Sequence, residues 1–239
     1  MTETGAEEAK PDLATGPARE ASVVQQESAQ VRVMVVDDHE LVRESLLKAL
    51  RGEPDLHPVG FAATVREAAT VVARTRPDVV LLDQVLPDGS GADAVADLLL
   101  HHPAAAVVML TAGGTDAVLR TAVAGGAAGL VAKTAGLEAL LGAVRAAAAG
   151  DVALDGEQLG RLLRQPASGR PHKLPDLDAW DHEALVLLAS GLRSTDLAER
   201  RRQPVADVRR GIATLREALG ARSTLEALVL ASRAGLLAT

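Results

Sequence analysis

Five polar residues stand where apolar runs stop: Asp37 and Asp38 after VRVMVV, Asp83 after DVVLL, Thr111 after AAVVML and Lys133 after AAGLVA. A charge at the mouth of an apolar run is costly unless something pairs with it. One such Asp would be ordinary, because Asp often ends strands and caps helices. Five such residues, at the ends of four runs, form a set. In a parallel sheet the carboxyl ends of the strands surround the ligand site, so all five converge on one pocket. Three carboxylates held that close repel, which raises at least one pKa or demands a cation. Ligands offering only oxygen, with no Cys or His, suit a hard ion such as Mg²⁺ or Mn²⁺. Lys133 can pair with a carboxylate or an incoming anion, and Thr111 offers a hydroxyl to a phosphoryl oxygen. Together they compose a phosphoryl-transfer site in which the Asp83 carboxylate receives the group.

Positioning them requires a regular scaffold, and the chain supplies one. Strand-like runs at 31–36, 56–62, 78–82, 105–110 and 127–132 alternate with stretches of helical period. These follow each run: HELVRESLLKALRG, then 64–75, GADAVADLLLHH, 115–124 and 136–149. Five strand-then-helix units predict an α/β domain over residues 31–150, a flavodoxin-like five-stranded parallel sheet with helices on both faces. Residues 151–175 change character: a short helix at 157–164 leads into the linker QPASGRPHKLP. Residues 176–239 predict a small all-α domain of four helices, at 178–190, 194–202, 205–218 and 223–237. The second and third are short and closely joined, at helix-turn-helix spacing.

Composition narrows the class. Phe61 and Trp180 are the only aromatic residues, so the core is built from Ala, Val and Leu. The absence of Cys suits a reducing cytoplasm. No apolar run spans a bilayer, and the N-terminus lacks the basic start and apolar stretch of a secretory signal, so a soluble cytoplasmic protein is expected. The formal net charge of −7 is unevenly spread. Residues 1–30 carry six acids (Glu3, Glu7, Glu8, Asp12, Glu20, Glu27) against Lys10 and Arg19, and read as a disordered tail. Residues 200–222 carry seven arginines against Asp207 and Glu217, which points to a polyanion partner for that segment.

The motifs VVDDHELVR, VVLLDQVLPDGSG, VVMLTAGG and GLVAKTAG resemble the receiver domain of two-component response regulators over residues 31–150. The resemblance implies that Asp83 is the phosphoacceptor. It implies that Asp37 and Asp38 bind Mg²⁺ together with Asp83 and the Val85 backbone carbonyl. Thr111 and Lys133 then bind the phosphoryl group and couple it to the switch face. Leu130 stands where the family often places Tyr or Phe as a rotamer switch, and Gln84 is polar where apolar residues are common. The donor implied is a sensor histidine kinase.

LDAWDHEALVLLASGLRSTDLAER and the segment through LGARS resemble the LuxR-type helix-turn-helix effector of the NarL/FixJ family. The implied activity is control of transcription through double-stranded DNA, with homodimerisation on phosphorylation. Arg209, Arg210 and Asp207 are the base-facing candidates, and Arg216 and Arg222 suit phosphates. Two features depart from the pattern. The turn RRRQP (200–204) puts Arg201 in an apolar slot, which predicts looser helix packing or a shifted turn. Gly211 falls inside the reading helix at roughly 1 kcal/mol against Ala. They motivate an alternative, a phospho-switch whose diverged effector acts through a protein partner. A Mg²⁺-dependent phosphohydrolase usually wants a second Asp two residues after its nucleophile. Val85 stands there, so no enzyme is expected.

Overall fold

The structure is a computed structural model describing residues 30–113, 116–164 and 175–237. Of the expected tail only Gln30 falls among these, and most of the linker QPASGRPHKLP lies outside them. The chain begins with β1 (Val31–Val36), α1 (Glu40–Arg51), β2 (Leu56–Ala62), α2 (Val65–Thr75) and β3 (Val79–Asp83). A short hairpin, β4 (Val85–Leu86) and β5 (Gly89–Ser90), precedes α3 (Gly91–His101). Then come β6 (Ala106–Thr111), α4 (Asp116–Ala124), β7 (Gly129–Ala132) and α5 (Leu137–Ala148). The main sheet is parallel, in the order β2-β1-β3-β6-β7, which is the flavodoxin-like arrangement.

Period two in the strands sorts the core into two layers. Met34, Val36, Val80 and Leu82 face one side, and Val33, Val35, Val79 and Leu81 the other. The second layer is closed by α1 and α5. The first continues past α2, α3 and α4 into the C-terminal helices, so Leu98 and Val123 belong to the same buried cluster as Leu185, Leu215 and Leu228. Those helices are α6 (Gly156–Leu163), α7 (Ala179–Ala189), α8 (Ser194–Arg201), α9 (Val205–Ala218) and α10 (Thr224–Arg233). Most lie within a residue or two of their predicted bounds.

Two differences bear on the site. β3 runs to Asp83 itself, which is only 4% exposed, so the carboxylate sits inside the last ladder position and not beyond it. The β4–β5 hairpin was not predicted. Its turn residue Asp88 accepts the N–H groups of Val65 and Arg66 at 2.8 and 3.1 Å, satisfying orphan donors at the start of α2. These bonds hold the Asp88 carboxyl below the usual carboxylate range.

Gly91 fixes where that hairpin ends. Its N–H donates to the Gln84 carbonyl at 2.9 Å, and a Cβ there would lie 1.9 Å from the Asp83 carbonyl oxygen. Backbone cannot retreat from such a clash without moving the strand end. Gly91→Ala is therefore expected to cost about 1–3 kcal/mol by overpacking, read as a lower urea midpoint. An unchanged midpoint would contradict the close approach.

Candidate functional site

The switch point of the sheet lies between β1 and β3, whose ends carry Asp37, Asp38 and Asp83. Asp37 is fully buried and Asp83 nearly so. Lys133, just after β7, resolves the repulsion: its Nζ lies 2.7 Å from Asp37 Oδ2 and 2.8 Å from Asp83 Oδ2. Burial works against the Lys133 ammonium, but its bonds to the two carboxylates outweigh that and raise its pKa above the ordinary value. A pKa raised in the folded state keeps the lysine charged throughout the neutral range, and its contribution to stability is lost as the pH rises through that raised value.

Carboxylate oxygens of Asp37, Asp38 and Asp83 and a ring nitrogen of His39 lie within 4.8 Å of one another, a spacing that could hold a metal ion. His39 precedes α1, and its Nδ1 lies 2.8 Å from Asp38 and 3.2 Å from Asp37.

Thr111 closes the pocket from β6, and its hydroxyl is already engaged. It accepts the Gly113 N–H at 3.1 Å and donates to Gln84 Oε1 at 2.6 Å. Gln84 is therefore the functional residue that sequence reasoning passed over, although its polarity in an apolar slot was the visible signal. Leu130 is buried in the layer behind the pocket, and Val85 is 68% exposed on the hairpin.

The second candidate surface is the reading helix. α8 and α9 are joined by three residues, Arg202 to Pro204, with Arg202 in the left-handed region at φ 52°. Pro204 precedes α9 with fixed φ and no side-chain cap, and Gln203 does not cap it. The expected loosening at Arg201 does not occur. Its guanidinium lies 5.5 Å from the Trp180 ring centroid and is ion-paired to Glu183. Arginine fills an apolar slot here by laying its stem on the core and stacking its head on an aromatic ring.

Gly211 has the same explanation. A Cβ there would meet the Trp180 ring at 2.5 Å, so the indole occupies the space a side chain would fill. The two departures from the family pattern are thus one compensated arrangement, and the alternative they motivated is not favoured.

The arginines divide. Arg210 is exposed and reaches Asp207 at 3.2 Å. Arg209 Nε donates to Ser194 Oγ at 3.2 Å, while Ser194 donates both its N–H and its hydroxyl to the buried Asp151 carboxylate, at 2.8 and 3.1 Å. Arg222 Nη1 donates to the Gly125 carbonyl at 3.0 Å, Ser223 to Ala127 at 2.8 Å and Thr224 to Gly150 at 2.6 Å. Arg209, Arg216 and Arg222 therefore face a cleft against the sheet domain, and Arg210 and Asp207 face outward. Nothing local foretold Asp151, which lies 43 residues from Ser194.

A buried acid–lysine–hydroxyl pocket at a flavodoxin-like switch point, with a helix-turn-helix docked on the same domain, defines a signal receiver joined to its effector. Comparison with known proteins agrees. The response regulator receiver domain family matches residues 33–145. The chain is 34% identical over 204 residues to the DNA-binding transcriptional activator DevR/DosR of Mycobacterium tuberculosis, covering 84% of this chain and 94% of that protein. It is 26% identical to the transcriptional regulatory protein LiaR of Bacillus subtilis, covering 85% and 97%. A solved structure of the RcsB response regulator of Salmonella typhimurium shares the fold at 21% identity and TM-score 0.51, over 81% of this chain and 93% of that one. The protein belongs to the NarL/FixJ-type response regulators.

Two outcomes are expected from these contacts. Gln84→Leu removes the acceptor that occupies Thr111, a bond of about 1 kcal/mol net, so beryllofluoride should bind about fivefold tighter. Unchanged affinity would show that the bond does not restrain the hydroxyl. Gly211→Ala should destabilise the wild-type chain despite alanine's better helix propensity, and become neutral or stabilising beside Trp180→Ala. Urea unfolding of the double-mutant cycle reads the coupling; additivity would contradict the fit.

Proposed function

We propose that Asp83 accepts a phosphoryl group from the phosphohistidine of a sensor kinase and that this event controls DNA binding by α9. The observation carrying the reading is the Lys133 bridge between Asp37 and Asp83 at the strand ends. In the transfer, an Asp83 carboxylate oxygen bonds to phosphorus as the phosphorus–nitrogen bond breaks, and the imidazole leaves with the electron pair. The oxygen donors present fit a hard divalent ion. Asp37, Asp38, Asp83 and the Val85 carbonyl would hold Mg²⁺, which when bound supplies neutralising charge for the phosphoryl oxygens. Lys133 gives up a carboxylate for a phosphoryl oxygen, and Thr111 exchanges Gln84 for another.

Coupling to the effector runs through α4. One end begins five residues after Thr111. The other, at Ala124 and Gly125, supplies the carbonyls that hold Arg222, and Leu119 and Val123 share the buried cluster with α10. Drawing Thr111 toward a phosphoryl group pulls on the helix that anchors the effector. The effector's release frees Arg209, Arg216 and Arg222 for DNA phosphates and base edges. Two copies then pair on adjacent half-sites.

Capture of fragmented genomic DNA by the purified protein, with and without beryllofluoride and Mg²⁺, tests this. A few discrete sites are expected, enriched when Asp83 is occupied, lost in Asp83→Asn, and recovered without beryllofluoride in Asp151→Ala, where the Ser194 contact is gone. Uniform salt-sensitive binding in every state would mean that the arginines provide only non-specific attraction.

A further inference from the structure

The cleft between α9 and the sheet domain has a volume of about 380 Å³ and is lined by Arg209, Arg216 and Arg222. Its two lining acids are committed, Asp151 to Ser194 and Asp78 to the Arg32 N–H at 2.8 Å. Elsewhere on this face, Arg200 and Arg201 pair with Glu183, and Arg210 with Asp207. Among the described residues, Arg202, Arg209, Arg216 and Arg222 have no carboxylate within ion-pairing distance, and Arg216 has no side-chain partner at all. Guanidinium groups are always charged and fit anionic oxygens well. These arginines thus lack directly paired carboxylates.

The chain enters at this place. Gln30 and Val31 line the cleft, pinned there by the Gln30 bond to the Pro54 carbonyl and the Val31 bond to the Asp55 carbonyl, both 2.8 Å. Residues 1–29 are attached directly to that rim, and they carry six carboxylates against Lys10 and Arg19. The receiver family match begins only at residue 33, so this acidic segment is additional to it. A flexible chain of that length has an end-to-end distance of roughly 30 Å, and α9, at 14 residues, is about 21 Å long. Twenty-nine residues are therefore long enough to span to the unpaired arginines of the face, at an effective concentration on the order of millimolar.

We propose that residues 1–29 act as an intramolecular polyanion that occupies the arginine face of α9 and competes there with DNA phosphates. Resting on the DNA-binding reading above, this adds a second restraint to the docked effector, one that phosphorylation alone does not remove. It is electrostatic, so it weakens steeply with salt, whereas the Asp151–Ser194 contact is buried and responds little.

The test uses the full-length chain with Glu3, Glu7, Glu8, Asp12, Glu20 and Glu27 changed to Gln or Asn. In the presence of beryllofluoride and Mg²⁺, the neutralised chain is expected to bind duplex DNA about tenfold tighter than wild type at about 50 mM salt, the gap closing above about 200 mM. A labelled peptide of residues 1–29 should bind the neutralised chain by anisotropy, be displaced by duplex DNA, and bind several-fold more weakly to neutralised chain that also carries Arg216→Ala. Equal DNA affinity of the two chains, or a peptide that does not bind, overturns the proposal. Peptide binding without DNA binding in any state would support the docked segment and overturn the DNA reading instead.

Discussion

The structure depends on one electrostatic constraint: Asp37 and Asp83 are withdrawn from water at the ends of adjacent strands, and the Lys133 ammonium between them is what makes that burial tolerable. Breaking such an arrangement by removing one partner leaves an uncompensated buried charge, which costs about 3–5 kcal/mol. Stability is not its only consequence. A lysine that already bridges two carboxylates is poised to exchange one of them for an anion delivered to the same point. The Thr111 hydroxyl is likewise held at hydrogen-bonding distance by Gln84. The resting pocket is preorganised by interactions that resemble the ones phosphorylation would install, so switching exchanges partners and does not create order from nothing.

The opposite end of the sheet carries the consequence. Cleft residues Val31, Asp78 and Ala106 lie at or just before the amino ends of strands, whereas Asp83 lies at a carboxyl end. A five-residue strand such as β3 separates the two by about 17 Å. No single side chain crosses that distance, which is why α4 matters. It runs from the loop after Thr111 to the carbonyls that hold Arg222, and its inner face is part of the apolar cluster shared with α10. Because that cluster is continuous, apolar burial docks α10 against α4, and polar contacts such as Asp151 with Ser194 set the register of the docking.

Much of this was legible in the sequence, and for identifiable reasons. β1 and β3 are buried on both faces, so they read as uninterrupted apolar runs, and the polar residue ending each run stood out. The helix-turn-helix was readable from helix lengths and a short turn. What was not legible depends on contacts between distant residues. Arg201 and Gly211 read as defects because each was judged on its own; the Trp180 indole explains both at once. Gln84 read as a polar oddity until Thr111 supplied its partner, 27 residues away. The β4–β5 hairpin, with two residues in each strand, is too short to carry a periodicity.

Amide hydrogen exchange with and without beryllofluoride and Mg²⁺ addresses the central claim most directly, that the charged pocket governs effector docking from the far end of the sheet. The Ser194 amide, whose only described bond is to the Asp151 carboxylate, is the reporter. Occupying the pocket should collapse its protection while amides in β1 and β3 keep theirs. Unchanged protection at Ser194 with the pocket demonstrably occupied would contradict the account, because the receiver would then have switched without releasing its effector.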